Sequence, residues 1–386
     1  MAVRRELAFP LSEYRRRALR VQEEMARRNI DLMLVTTLAN VCYLTGIESI
    51  APHKYWLAVV PRRGDPILLC EDFESHNALL GSWIPDICTY PGRSDPILET
   101  GRLVRKLGVR CGRLGVELNA LSSLSAQGYL KLKAALSGNR LVDATDCVTS
   151  VMAIKSELEI ACLRRAGTIT GAAMRAGVAA VREGATDNDV AAAAYRTLIS
   201  KGSEFPSYPV IVTTGGRSSV PHSTFKRVPI GRGDPVFMEI GACVHRYSAP
   251  MLRTAALGRP PASLRKMTQA CVDSVSALLE NIRAGALAGD VAAKSEVLLK
   301  GLPARIVWHG YYGYSVGLGF PPTWADHRSL IIRLASPDIL QAGMVFHLST
   351  SLRDVGRYGA TCSETAVVRE NGCEVLTALP RRLFLR

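Results

Sequence analysis

Apolar positions recur with two different periods along this chain, and the switches between them mark its predicted elements. Residues 12–29 place Leu19, Val21 and Met25 at helical spacing among charges, and Asp31 to Thr36 then reads as a strand. Tyr55 to Val60 and Ile67 to Cys70 read as two more strands joined by the turn Arg63-Gly64-Asp65-Pro66. Leu98 to Lys106 and Leu124 to Leu136 read as helices, with Arg113 to Val116 as a strand between them. Strands alternating with helices in this way predict an α/β domain over residues 1–147.

A second unit, residues 148–386, is predicted to begin near Val148. Ser156 and Glu159 form a capping box, in which the serine oxygen takes an exposed backbone N–H and the glutamate reaches back to the cap residue. The helix it starts runs through Val181; Gly184 breaks the pattern, and Thr186 with Asp189 starts the next helix, to Lys201. Strands follow, then a helical hairpin over about 262–300, then more strands. Asn371-Gly372, between Val367-Val368 and Val375-Leu376, is a hairpin signal because both residues tolerate positive φ. The whole is α/β (α+β) in class.

With 386 residues and 48% hydrophobic content the chain can bury substantial cores. Its apolar runs are too short for a membrane span, and Met1 to Arg5 lacks the apolar stretch of a signal peptide, so a soluble, cytoplasmic protein is expected. The ten cysteines contain no Cys-x-x-Cys pair, which fits neither a disulfide framework nor a zinc pattern. A net charge of +14 invites a nucleic-acid reading, but the arginines are dispersed in pairs and triplets amid acidic residues. A solvated arginine-rich surface is expected, with no nucleic-acid or membrane partner.

Candidate chemistry is concentrated in the second unit. Pro235 to Cys243 reads as an apolar strand with Glu239 at its middle. A carboxylate there is expensive to bury unless it meets a cation or donors; a structural ion pair, for instance to Arg253, is the bland alternative. Glu364 carries the same cost on a strand it shares with Ala366 and Val368. His222 follows Pro221 in a Gly/Ser-rich loop and suits a general base; the bland alternative is a solvated or turn-capping histidine. His347 lies within an apolar run, and Tyr314 lies in the loop Gly313 to Pro322, which does not match a phosphate-binding loop. His53, His76, His245, His309 and His327 have no comparable context.

Taken together, these segments resemble the pita-bread family of creatinase, aminopeptidase P, prolidase and methionine aminopeptidase. The resemblance rests on Asn40 to Gly46, Ile154 to Glu159, Ala242 to Pro250, Gly313 to Pro322 with Trp324, and Cys362 to Thr365. It covers nearly the whole chain and implies a creatinase-like N-terminal domain before a C-terminal pita-bread catalytic domain. Where the peptidase branches place five metal ligands, the resemblance puts Glu239, Pro250, Tyr314, His347 and Glu364. Proline has no donor atom and tyrosine is a poor substitute for imidazole, so no metal and no cofactor are expected.

Within the family the chain is most similar to the metal-independent ectoine hydrolase and creatinase groups, which implies hydrolysis of a non-peptide C–N bond. The expected substrate is a small amidine, guanidine or cyclic amide carrying a carboxylate. The resemblance implies His222 as base and Glu239 and Glu364 as paired carboxylates on an amidinium, with Tyr314 and His347 lining the pocket. It also implies a homodimer and aligns Lys54 with a carboxylate-binding arginine supplied by the neighbouring subunit. Two other readings stay open: an Xaa-Pro-type metallopeptidase with an atypical site, and a non-catalytic binding protein of the same fold.

Overall fold

The computed structural model describes residues 5–118, 124–326 and 330–386. It divides into two compact units, Met1–Met152 and Ala153–Arg386. The boundary read from sequence at 147/148 falls inside a helix, Asp146–Met152, which buries Cys147, Val148, Val151 and Met152.

In the first unit the elements run α1 (Leu11–Arg27), β1 (Leu32–Val35), α2 (Leu38–Thr45), β2 (Leu57–Pro61), β3 (Ile67–Glu71), α3 (Ser75–Gly81), β4 (Ile87–Tyr90), α4 (Pro96–Lys106), β5 (Arg113–Val116), α5 (Ala126–Ala135), β6 (Arg140–Asp143) and α6 (Asp146–Met152). The strands form one mixed sheet in the order β4-β3-β2-β1-β5-β6. β1 is buried at every position, as a strand covered on both faces requires. α4 starts where Asp95 accepts from the Ile97 backbone N–H, with Pro96 in its first turn.

The second unit continues with α7 (Glu157–Ala180), α8 (Asp187–Ser200), β7 (Ile211–Thr214), β8 (Pro235–Val244), β9 (Tyr247–Ala256), α9 (Ala262–Asn281), α10 (Ala288–Leu299), β10 (Ile306–Val307), β11 (Gly313–Ser315), β12 (Ile331–Ile332), β13 (Val345–Asp354), β14 (Tyr358–Arg369), β15 (Gly372–Val375) and β16 (Phe384–Leu385). Capping boxes at Ser156/Glu159 and Thr186/Asp189 start α7 and α8. The strands form two sheets, β16-β9-β8-β7 and β12-β11-β13-β14-β15, with β10 pairing on β13.

Each sheet has a helix-facing side. Met174 of α7 and Val190 of α8 pack with Met238, Ile240 and Met251, while Leu264 and Val275 of α9 pack with Phe346, Leu348, Cys362 and Ala366. Because side chains alternate along a strand, the intervening residues of β8, β13 and β14 point the other way. The sheets are joined where β9 meets β14: Leu252 N–H donates to Ser363 Oγ (2.7 Å), Thr361 N–H to Thr254 Oγ1 (2.8 Å), and Thr365 Oγ1 to the Pro250 carbonyl (2.8 Å). Among the described residues no helix is long and apolar enough to cross a membrane.

Candidate active site

The strand faces turned away from the helices enclose a cavity of about 560 Å³ in the second unit, a size that suits a small molecule. Its walls are aromatic, supplied by Tyr208, Phe237, Trp308, Tyr311, Tyr314 and Trp324. Tyr208 and Trp324 are in contact, with ring centroids 5.1 Å apart. Close backbone approach makes this possible: a Cβ on Gly241 would sit 2.7 Å from the Trp324 ring.

Glu239 lines the cavity from β8, where it pairs across the strands with Ile211 and Leu252. No hydrogen bond or ion pair to its carboxylate is present among the described residues, so it faces the cavity without a partner. Burial pushes this carboxyl up to about 7, opposed only by the charge of Arg353. The anticipated Arg253 partner is occupied elsewhere. Burial first, then the Glu239 charge, also raises the phenols of Tyr208 and Tyr311.

Arg353, on β13, is the one arginine or lysine lining this cavity among the described residues. Its guanidinium stacks 3.9 Å over the Phe237 ring and donates from Nη1 to the Ser218 carbonyl at 2.7 Å. It makes no ion pair within 4.0 Å of Glu239, although both residues line the cavity and each feels the other's charge. Burial pulls the guanidinium down to about 10, partly offset by Glu239. His309 also lines the space, its ring pulled down to about 4 by burial and by Arg353.

His222 lies at the exposed rim of the cavity with φ 53°, a left-handed conformation that histidine adopts more readily than β-branched residues do. Its loop is tied down by Arg217, whose Nη2 donates to Ser223 Oγ (2.6 Å) and the Thr224 carbonyl (2.9 Å).

Tyr314 and His347 come together on the cavity wall, paired across β11 and β13. Tyr314 Oη lies 2.8 Å from His347 Nδ1 and accepts from Trp324 Nε1 at 2.8 Å; His347 Nε2 lies 2.7 Å from Ser363 Oγ. Burial pulls the His347 ring down to about 3, so it is a neutral imidazole.

One expected site residue lies elsewhere. Glu364 does not pair with Glu239: it shares the helix-facing side of β14 with Ala366, is ion-paired to Arg253 at 2.5 Å and accepts from Thr377 Oγ1. Ser363, its neighbour in sequence, is the residue on the cavity side. Lys54, expected to serve the site of a neighbouring subunit, is ion-paired with Glu71 at 2.7 Å within the first unit. Arg353, His309 and Ser363 were not anticipated; for Arg353, the only signal was its even spacing from His347 along a strand. His327 lies outside the described residues.

These donors do not fit a pair of hard metal ions. Glu239 is the only carboxylate lining the cavity among the described residues, and both ring nitrogens of His347 are engaged. Among the described residues, no three His, Cys, Asp or Glu side chains of the cavity bring ligand atoms within 4.8 Å of one another.

The sequence profile of Metallopeptidase family M24 matches residues 161–370, and that of the Creatinase/Prolidase N-terminal domain matches residues 17–152. The chain therefore belongs to the M24 family, with a creatinase-type N-terminal domain before a pita-bread domain. An uncharacterized hydrolase/peptidase of Sinorhizobium fredii is 30% identical over 397 residues, 99% of this chain and 100% of that protein. The ectoine hydrolase of Halomonas elongata is 28% identical over 404 residues, covering 98% and 99% of the two chains. Among solved structures, a prolidase from Thermococcus sibiricus superposes with a TM-score of 0.86 at 18% identity over 97% of this chain and 99% of that one, a likeness of fold.

Proposed function

We propose that this protein is a metal-independent hydrolase that cleaves a non-peptide C–N bond in a small amidine, guanidine or cyclic amide bearing a carboxylate. The observation that carries the reading is Glu239: a lone carboxylate among aromatic rings, with no protein partner among the described residues and an unpaired cation, Arg353, lining the same cavity. A planar amidinium satisfies it by charge-assisted N–H hydrogen bonds, and the aromatic faces favour the same cation. The unengaged N–H groups of Arg353 suit the substrate's carboxylate. Glu364 has no part in binding, so a single carboxylate takes the role expected of two.

His222, at the rim, takes a proton from the attacking water as the water oxygen bonds the central carbon. The resemblance to an ectoine hydrolase over the full length supports the same class of substrate. The experiment is to incubate the purified protein with ectoine, creatine and related zwitterions and follow the gain of one water by mass spectrometry. Turnover of a dipeptide ending in proline, with none of these compounds consumed, would replace this reading with that of a peptidase.

A further inference from the structure

The hydrogen-bonded chain beneath the cavity has a fixed number of protons, and counting them selects one arrangement. Its two ends, Trp324 Nε1–H and the Leu252 backbone N–H, can only donate; they point at Tyr314 Oη (2.8 Å) and Ser363 Oγ (2.7 Å). Between them, the tyrosine, the neutral imidazole of His347 and the serine hold one proton each. Two of these fill the contacts of Nδ1 with Oη at 2.8 Å and Nε2 with Oγ at 2.7 Å. One hydroxyl proton is left over.

If His347 carried its proton on Nε2, Tyr314 would donate to Nδ1 and the spare proton would belong to Ser363. Ser363 is 0% exposed, and its hydroxyl has no other acceptor among the described residues. Stranding a buried donor costs roughly 1–3 kcal/mol. With the proton on Nδ1, Ser363 donates to Nε2, His347 donates to Tyr314, and the spare proton belongs to Tyr314, whose ring lines the cavity with Glu239. The second arrangement puts the spare proton on a residue that lines the cavity, where a ligand can accept it, and not on the fully buried serine. In it the tyrosine oxygen accepts two N–H bonds, which polarises its own O–H.

From this, and resting on the hydrolase reading above, we propose that Tyr314 is a catalytic hydrogen-bond donor, held in its donor state by the positioning residues His347, Ser363 and Trp324. A planar amidinium offers only N–H donors and gives the Tyr314 proton nothing to bond. When water adds to the central carbon of the amidinium, the C–N π pair becomes a nitrogen lone pair and an acceptor appears. The bond to Tyr314 thus forms as the tetrahedral centre forms, which is the condition for it to raise kcat and not merely tighten binding.

The first arm of the test needs neither substrate nor variant. In the full chain labelled with 15N-histidine, the His347 resonances are expected to show Nδ1 protonated and Nε2 bare; a proton on Nε2 would overturn the assignment. The second arm is kinetic: Tyr314→Phe is expected to lower kcat by about 10²–10³-fold with KM changed only a few-fold. A raised KM with kcat unchanged would make Tyr314 a substrate-binding residue and overturn the catalytic role. Failure of every amidine, guanidine and cyclic amide to react would count against the hydrolase reading, and with it the catalytic role, while the spectrum would still decide the donor state.

Discussion

Ser363 and Glu364 are consecutive on one strand and serve opposite sides of it. Ser363 Oγ lies 2.7 Å from His347 Nε2 under the cavity, while the Glu364 carboxylate lies 2.5 Å from Arg253 on the helix side. Arg253 also donates to the carbonyls of Ser363 (2.5 Å), Leu379 (2.7 Å) and Pro380 (3.2 Å), so this ion pair joins β9, β14 and the C-terminal segment.

The Arg253–Glu364 pair is therefore expected to govern stability. Glu364→Ala leaves a guanidinium with 0% exposure uncompensated and should cost about 3–5 kcal/mol in denaturant unfolding. The protein that remains folded should keep its ligand preference. A changed preference at unchanged stability would place Glu364 in the site after all.

Glu239 predicts the opposite sign. Its carboxyl rises from 4.5 in the unfolded chain to about 7 in the fold, so the native state holds the proton more tightly. Stability from this group is complete below pH 4.5 and is lost as pH rises through about 7. Glu239→Gln should accordingly stabilise the ligand-free protein at pH 8, by roughly 2–3 kcal/mol, and leave it nearly unchanged at pH 4. The same variant should lose affinity for amidinium ligands. In the unmodified protein that affinity should climb as pH passes about 7, because the cation binds the ionised form.

Arg353→Gln separates the two ends of the substrate. It removes the guanidinium while keeping an amide able to donate to the Ser218 carbonyl. Ligands bearing a carboxylate should weaken by about tenfold or more in calorimetry, and acetamidine, which has none, should weaken far less. Equal losses for both would contradict the assignment of Arg353 to the carboxylate.

Gly241→Ala tests the aromatic wall from behind. The added methyl would lie 2.7 Å from Trp324 Cζ3, and moving that ring breaks its bond to Tyr314. A shift in tryptophan emission, a loss of about 1–3 kcal/mol in stability and a fall in turnover are expected together. Unaltered emission and activity would show that the ring yields without disturbing the chain of hydrogen bonds.

The α/β alternation, the helix starts at Ser156 and Thr186 and the presence of a hairpin after Val368 were legible in sequence because each is a local pattern with a local physical cause; the hairpin's turn residues are Glu370 and Asn371, one position earlier than the expected Asn371-Gly372, and Gly372 pairs with Arg369. Glu239 was legible for a related reason: a carboxylate inside an otherwise apolar strand is conspicuous. The side on which Glu364 sits was not. From Tyr358 to Val368 every residue of β14 is buried, so no polar alternation says which side meets helices and which meets the cavity, and a single step in register exchanges Ser363 for Glu364. Arg353 was hidden because an arginine beside Asp354 reads as the solvated end of a strand. The aromatic wall was hidden because its rings come from separate strands and loops, and an aromatic content of 6% gave no hint that they converge.

The central claim is that the substrate's own positive charge, and not a bound ion, satisfies Glu239. Its most direct test is turnover of ectoine-like amidines by protein stripped with a chelator and checked by elemental analysis. The account predicts hydrolysis at an undiminished rate in the stripped protein and its loss in Glu239→Gln. Activity abolished by the chelator and restored by manganese would contradict it.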